Sequence, residues 1–146
     1  MSHIKQFDHV GVTVADLDAA TAFFAELGLE VEGRTFLEGE FVDKVTGIPD
    51  SRTEIVMLRP PGGGTGLELA TFVRPEHQPG SPDAMATELG FRNICFVVED
   101  LQGVVDSLAA KGYGLVGEIG QYENTWQMAH VRGPEGLVVA LTERIG

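Results

Sequence analysis

Beyond its carboxylates, this sequence holds few side chains suited to chemistry: four histidines, one cysteine and one tryptophan. Imidazole and carboxylate bind divalent metals or move protons, a thiolate attacks electrophiles, and an indole stacks on flat ligands. The cysteine, Cys95, sits mid-strand among apolar neighbours with no cation beside it to lower its pKa, and reads as a small core residue. The run Gly62-Gly63-Gly64 lacks the Gly-Lys-Ser/Thr ending of a phosphate loop and precedes a strand, so it reads as a hairpin turn. No nucleotide cofactor is expected.

The charge balance narrows the partners. Ten Lys and Arg against 22 Asp and Glu give a net charge of −12, a field that repels phosphate backbones and anionic lipid, so neither nucleic acid nor membrane is an expected partner. The same field would concentrate cationic ligands. Apolar stretches such as Ile94–Val98 fall well short of the ~20 residues of a membrane span, and the N-terminus reads without a signal-peptide apolar region. With a single cysteine, which can form no internal disulfide, the expected compartment is the cytoplasm.

The elements that must position these groups come as a repeat. A shift of 84 residues aligns His9-Val-Gly-Val-Thr-Val-Ala-Asp-Leu17 with Asn93-Ile-Cys-Phe-Val-Val-Glu-Asp-Leu101 without a gap, and carries Gly28 onto Gly112. Each segment reads as an alternating strand, an Asp N-cap, an amphipathic helix and a helix-ending glycine. Further strands are expected at about 29–37, 53–59 and 66–73, then at about 114–121, 125–132 and 136–143. Each half is therefore βαβββ. The first module spans 1–80, with an insertion near 38–50 that reads as a short helical or looped flap, and the second spans 81–146 after a proline-rich surface linker.

The duplicated openings, the Gly66-Leu67-Glu68-Leu69 strand and the closing Arg132-Gly-Pro-Glu-Gly-Leu-Val-Val-Ala-Leu141 resemble the vicinal oxygen chelate superfamily of glyoxalase I, methylmalonyl-CoA epimerase, extradiol dioxygenases and bleomycin-binding proteins. The resemblance implies an α+β fold in which two βαβββ modules form a curved mixed sheet around a shared cleft. It implies a divalent ion (Ni, Zn, Mn or Fe) held from the first and last strand of each module. Here those positions are His9, Glu68, Asn93 and Ala140. His9 and Glu68 are good ligand types, Asn93 offers a neutral amide oxygen and Ala140 offers nothing. Glu143 has the opposite pleat parity to Ala140 and should face away.

Strand parity places Gly11 and Thr13 on the face of His9, and Phe72 on that of Glu68. Aligning the third strands pairs Met57 with His130, so that Trp126, Met128 and His130 share a face. Met57, Phe72, Asn93, Trp126, Met128 and His130 are therefore the expected ligand contacts, with His130 a polar contact or a third metal ligand. Two functions stay open: a metal-assisted lyase or epimerase working through an enediolate, with Glu68 as ligand or catalytic base, and a metal-free protein that sequesters a small molecule. An extradiol dioxygenase needs a second histidine where Asn93 stands. A homodimer is expected, because sheets of short strands have edges to protect and superfamily members pair through them.

Overall fold

The computed structural model describes residues 3–146; Met1 and Ser2, the start of the expected first module, lie outside the described residues. The chain divides into two units, one ending at Pro79 and the other running from Gly80 to Gly146. Both have the βαβββ order.

In the first unit, strand β1 (His9–Thr13) leads into helix α1 (Leu17–Leu27). The Asp16 side chain accepts a hydrogen bond from the Ala19 amide at 3.0 Å, and Gly28, at φ 113°, closes the helix in the left-handed conformation open to glycine. Helical spacing puts Leu17, Ala20, Phe23 and Phe24 on the buried face. That face packs against β3 (Arg52–Arg59) and β4 (Gly66–Arg74), where Val56, Leu58, Leu67 and Leu69 are buried. With β2 (Glu30–Glu38) the strands run in the order β1-β4-β3-β2, with β1 parallel to β4 and the other pairs antiparallel. The insertion forms a short helix, α2 (Glu40–Thr46), none of whose residues is buried. Asp43 ties it back to the chain by accepting hydrogen bonds from the amides of Asp50 (2.8 Å) and Ser51 (3.3 Å) and from the Ser51 hydroxyl (3.1 Å).

The second unit repeats the plan with β5 (Ile94–Val97), α3 (Leu101–Ala110), β6 (Gly120–Tyr122), β7 (Trp126–Arg132) and β8 (Val138–Arg144), in the order β5-β8-β7-β6. The register is conserved between the units: Gly11 lies opposite Glu68 as Cys95 lies opposite Ala140. Asp100 caps α3 through the Gly103 amide, and Glu143 reinforces that cap by accepting hydrogen bonds from the amides of Asp100 (2.6 Å) and Leu101 (3.0 Å). The strand expected over 114–121 is cut to Gly120–Tyr122, preceded by one isolated bridge from Leu115 to Val131. The glycines at 114, 117 and 120 account for this, because they present no side chain to pack on the pleat. No described helix is long and apolar enough to cross a membrane.

Candidate functional site

His9 opens β1, and the residue before it fixes its imidazole. Asp8 Oδ2 lies 2.7 Å from His9 Nδ1, and the hydrogen bonds from His9 and then Gln6 hold the Asp8 carboxyl below its ordinary range. An ionised carboxylate only accepts, so the Nδ1 proton belongs to this bond and Nε2 is the free end of the ring. That end lies 3.7 Å from Glu68 Oε2 on the neighbouring strand β4. His9 and Glu68 keep 38% and 25% of their side-chain surface exposed, so both reach solvent.

Around the pair, Met57 on β3 stands directly opposite Glu68, and Phe72 follows on β4 two pleats on. Phe72 is held by a residue that the sequence did not single out. Its amide donates to His77 Nε2 at 3.0 Å, and the two rings meet edge to face with centroids 6.3 Å apart. The imidazole thus supplies an acceptor to β4 beyond the end of β1.

The second unit carries different chemistry at the equivalent places. His130 stands opposite Ala140 as Met57 stands opposite Glu68, with Met128 opposite Thr142 and Trp126 opposite Arg144. On β7, Ala129 and Val131 are buried while Trp126, Met128 and His130 lie on the more open face. The Arg144 guanidinium lies 5.9 Å from the centre of the Trp126 ring, so one side of the indole already meets a cation. Asn93 and Cys95 are exposed. The expectation that Cys95 is a core residue is therefore corrected: its pleat side is shared with Asn93 and Val97, and the buried positions belong to the neighbouring strand β8. Desolvation still pushes its thiol pKa up, so the thiol is a poor nucleophile at neutral pH.

The donor set decides whether a resident metal fits. His9 and Glu68 offer one nitrogen and one carboxylate at a mutual distance of 3.7 Å. At the equivalent positions the second unit offers the Asn93 amide and the 2%-exposed Ala140 methyl, while Glu143 is spent on the α3 cap. Among the described residues no group of three or more His, Cys, Asp or Glu is placed to hold a metal ion. Two donors fall short of the three or four protein ligands that hold a transition metal firmly, so the residues present do not fit a resident ion.

A cavity of about 530 Å³ lies elsewhere in the first unit, beside α2, lined by Glu38, Asp43, Lys44, Ser51 and Arg74 among others. Its charges are largely matched internally: Glu38 pairs with Arg52 at 2.6 Å and with Arg74 at 3.0 Å, and Asp43 is taken up by the Asp50 and Ser51 amides. It is the clasp that holds the insertion.

Comparison with known proteins adds the family. The model of the Glyoxalase/Bleomycin resistance protein/Dioxygenase superfamily matches residues 6–141. A crystal structure of a glyoxalase family protein from Bacillus cereus is 38% identical, with a TM-score of 0.95, and the match covers 100% of this chain and 99% of that one. The trypanothione-dependent glyoxalase I of Leishmania major shares the fold at 21% identity and a TM-score of 0.67, over 96% of this chain and 87% of that one. A glyoxalase family protein from Enterococcus faecalis does so at 24% identity and a TM-score of 0.62, over 97% of this chain and 100% of that one. None of the curated proteins matches the sequence.

Proposed function

Because the chain belongs to the Glyoxalase/Bleomycin resistance protein/Dioxygenase superfamily, we propose that it binds a small cationic molecule against the His9–Glu68 face without a resident metal. The observation that carries the reading is the flanking of one imidazole by two carboxylates, Asp8 at 2.7 Å and Glu68 at 3.7 Å, with no further donor set among the described residues to close a metal site. Carboxylates on a chain of net charge −12 favour a cationic ligand, and Met57 and Phe72 supply apolar surface beside them. On the second unit, Trp126, Met128 and His130 are the proposed contacts and Asn93 a hydrogen-bonding one. We also propose that the chain functions as a homodimer.

A second reading keeps Glu68 as a catalytic base. Its support is the partly exposed carboxylate beside a tethered imidazole, a pair that can take up and return a proton. In this reading the chemistry is proton transfer on a bound substrate, and Glu68 is the residue it needs.

The experiment is a thermal-shift screen of aromatic amines and quaternary ammonium compounds, run with and without EDTA. A ligand that binds only the folded state raises the transition temperature. The proposal expects hits whose shift is the same in EDTA and smaller in Glu68→Gln. Hits that vanish in EDTA, or that ignore Glu68, would defeat it.

A further inference from the structure

We propose that the second unit offers a site for a flat aromatic ring bearing a carboxylate, with Tyr122 and Trp126 as its wall and Arg144 and Thr142 as its donors. The inference rests on the reading above that Trp126 contacts the ligand, and adds the chemistry of the group that lies there. Residues directly opposite on neighbouring strands share a face. Tyr122 stands opposite Trp126 and Trp126 opposite Arg144, so two aromatic rings and a guanidinium line up across β6, β7 and β8. The next row on that face holds Gly120, Met128 and Thr142.

Local bonds fix the row. Glu123 and Asn124, at φ 49° and 54°, turn the chain between β6 and β7 in the left-handed region, and the Thr125 amide closes the turn on the Tyr122 carbonyl at 2.9 Å. The Ile145 amide donates to the Thr125 carbonyl at 2.7 Å, which holds the end of β8 beside Trp126. Tyr122 keeps 66% of its surface open, and a Cβ at Gly120 would meet nothing within 4 Å. A ligand ring therefore has room to lie against the two aromatic side chains.

The donors select the charge. Arg144 Nε is spent on the Gly146 carbonyl at 2.9 Å, but among the described residues no acidic side chain pairs with the guanidinium, and neither its Nη nitrogens nor the Thr142 hydroxyl has a hydrogen-bond partner. Paired N–H groups of a guanidinium match the two oxygens of a carboxylate. Glu143, between these two residues on β8, has the opposite pleat parity and is spent on the α3 cap. The net charge of −12 is largely screened beyond roughly 8 Å at physiological ionic strength, so the local guanidinium decides. Ala140, where the family resemblance places a metal ligand, lies ~13 Å back along β8, so the two positions are distinct. An aromatic zwitterion carries both this carboxylate and the cationic group assigned to His9 and Glu68.

Trp126 is the chain's single tryptophan, so its indole N–H gives one resonance in a nitrogen–proton correlation spectrum and reports on this site. Titration with para-chlorobenzoate and with para-chlorobenzyl alcohol, the same ring without the charge, separates the wall from the donors. Both probes should move the resonance saturably, and the carboxylate should bind roughly fivefold tighter, as for a partly exposed ion pair. Arg144→Gln should bring the two affinities together by weakening the carboxylate alone, whereas Tyr122→Ala should weaken both alike; the amide spectrum verifies that each variant is folded. Equal affinities on the wild type, or a carboxylate preference that survives Arg144→Gln, would overturn the carboxylate site and leave Trp126 standing as a ligand contact. A resonance that neither probe moves would end both.

Discussion

His9 and Glu68 lie side by side although they are not partners in the sheet: β1 runs parallel to β4 with His9 beside Gly66 and Gly11 beside Glu68, and the imidazole spans the offset to within 3.7 Å of the carboxylate. Asp8 holds the far side of the ring. The arrangement gives a polar centre built from three consecutive roles: a tether, an imidazole and a free carboxylate.

Replacing Glu68 by Gln keeps the shape of that centre and removes its charge. For binding of a cationic ligand the loss should be about 1 kcal/mol, or several-fold in Kd, as for a partly exposed ion pair. If a substrate is turned over, the same variant should lower kcat by ~10²-fold or more with little change in binding, because a positioned base acts mainly in the transition state. Calorimetry and steady-state kinetics on one ligand separate the two.

Trp126→Ala should weaken ligand binding by about 1–3 kcal/mol, the size of an aromatic contact in a desolvated site. Since Arg144 lies against the ring, Arg144→Gln serves as the control, and binding that follows the arginine and ignores the indole would reassign the contact.

Acid should loosen the second unit through Glu143. The Leu101 amide first, then Gln127 and the Asp100 amide, hold its carboxyl below the ordinary glutamate range. A depressed folded-state pKa contributes stability that is present above the unfolded value of ~4.3 and is lost as pH falls through the folded one. Glu143→Gln should therefore melt below wild type at pH 7, and the gap should narrow as pH drops below about 4. Melting curves from pH 7 to pH 2 check the sign; a gap that does not change with pH would remove Glu143 from the cap.

Gly136 holds the turn before β8 at φ 84°, and a Cβ there would run into the backbone carbonyl of Pro82. Gly136→Ala combines a left-handed residue with a backbone clash and should cost about 2–4 kcal/mol of stability. Urea denaturation of the variant measures it.

Much of this was legible in the sequence because hydrophobic period and capping chemistry are local. The gapless repeat, Asp16 and Asp100 before helices, and Gly28 after one were enough for two βαβββ modules. Aligning the third strands pairs Met57 with His130, which the observed register matches by setting one opposite Glu68 and the other opposite Ala140, and pleat parity separates Glu143 from Ala140. What was not legible depended on groups far apart in the chain or on weak side-chain signals. The strand at 114–121 is cut short because glycine stands at every third position, 114, 117 and 120, where side chains should pack. Cys95 looked like core because its sequence neighbours are apolar, whereas exposure is set by what the strand faces. His77, five residues beyond Phe72, supplies a backbone acceptor that no periodicity announces. Asp8 escaped notice because a carboxylate beside a histidine in sequence gains meaning only once the ring is seen to lean on it.

If His9 and Glu68 form a polar pair too small to keep a metal, elemental analysis of protein purified without chelators will show it. Ni, Zn, Mn and Fe should each lie far below one ion per chain, with added metal bound weakly and that weak binding lost in His9→Ala and Glu68→Ala. One tightly held equivalent per chain, surviving gel filtration and absent from those two variants, would contradict it.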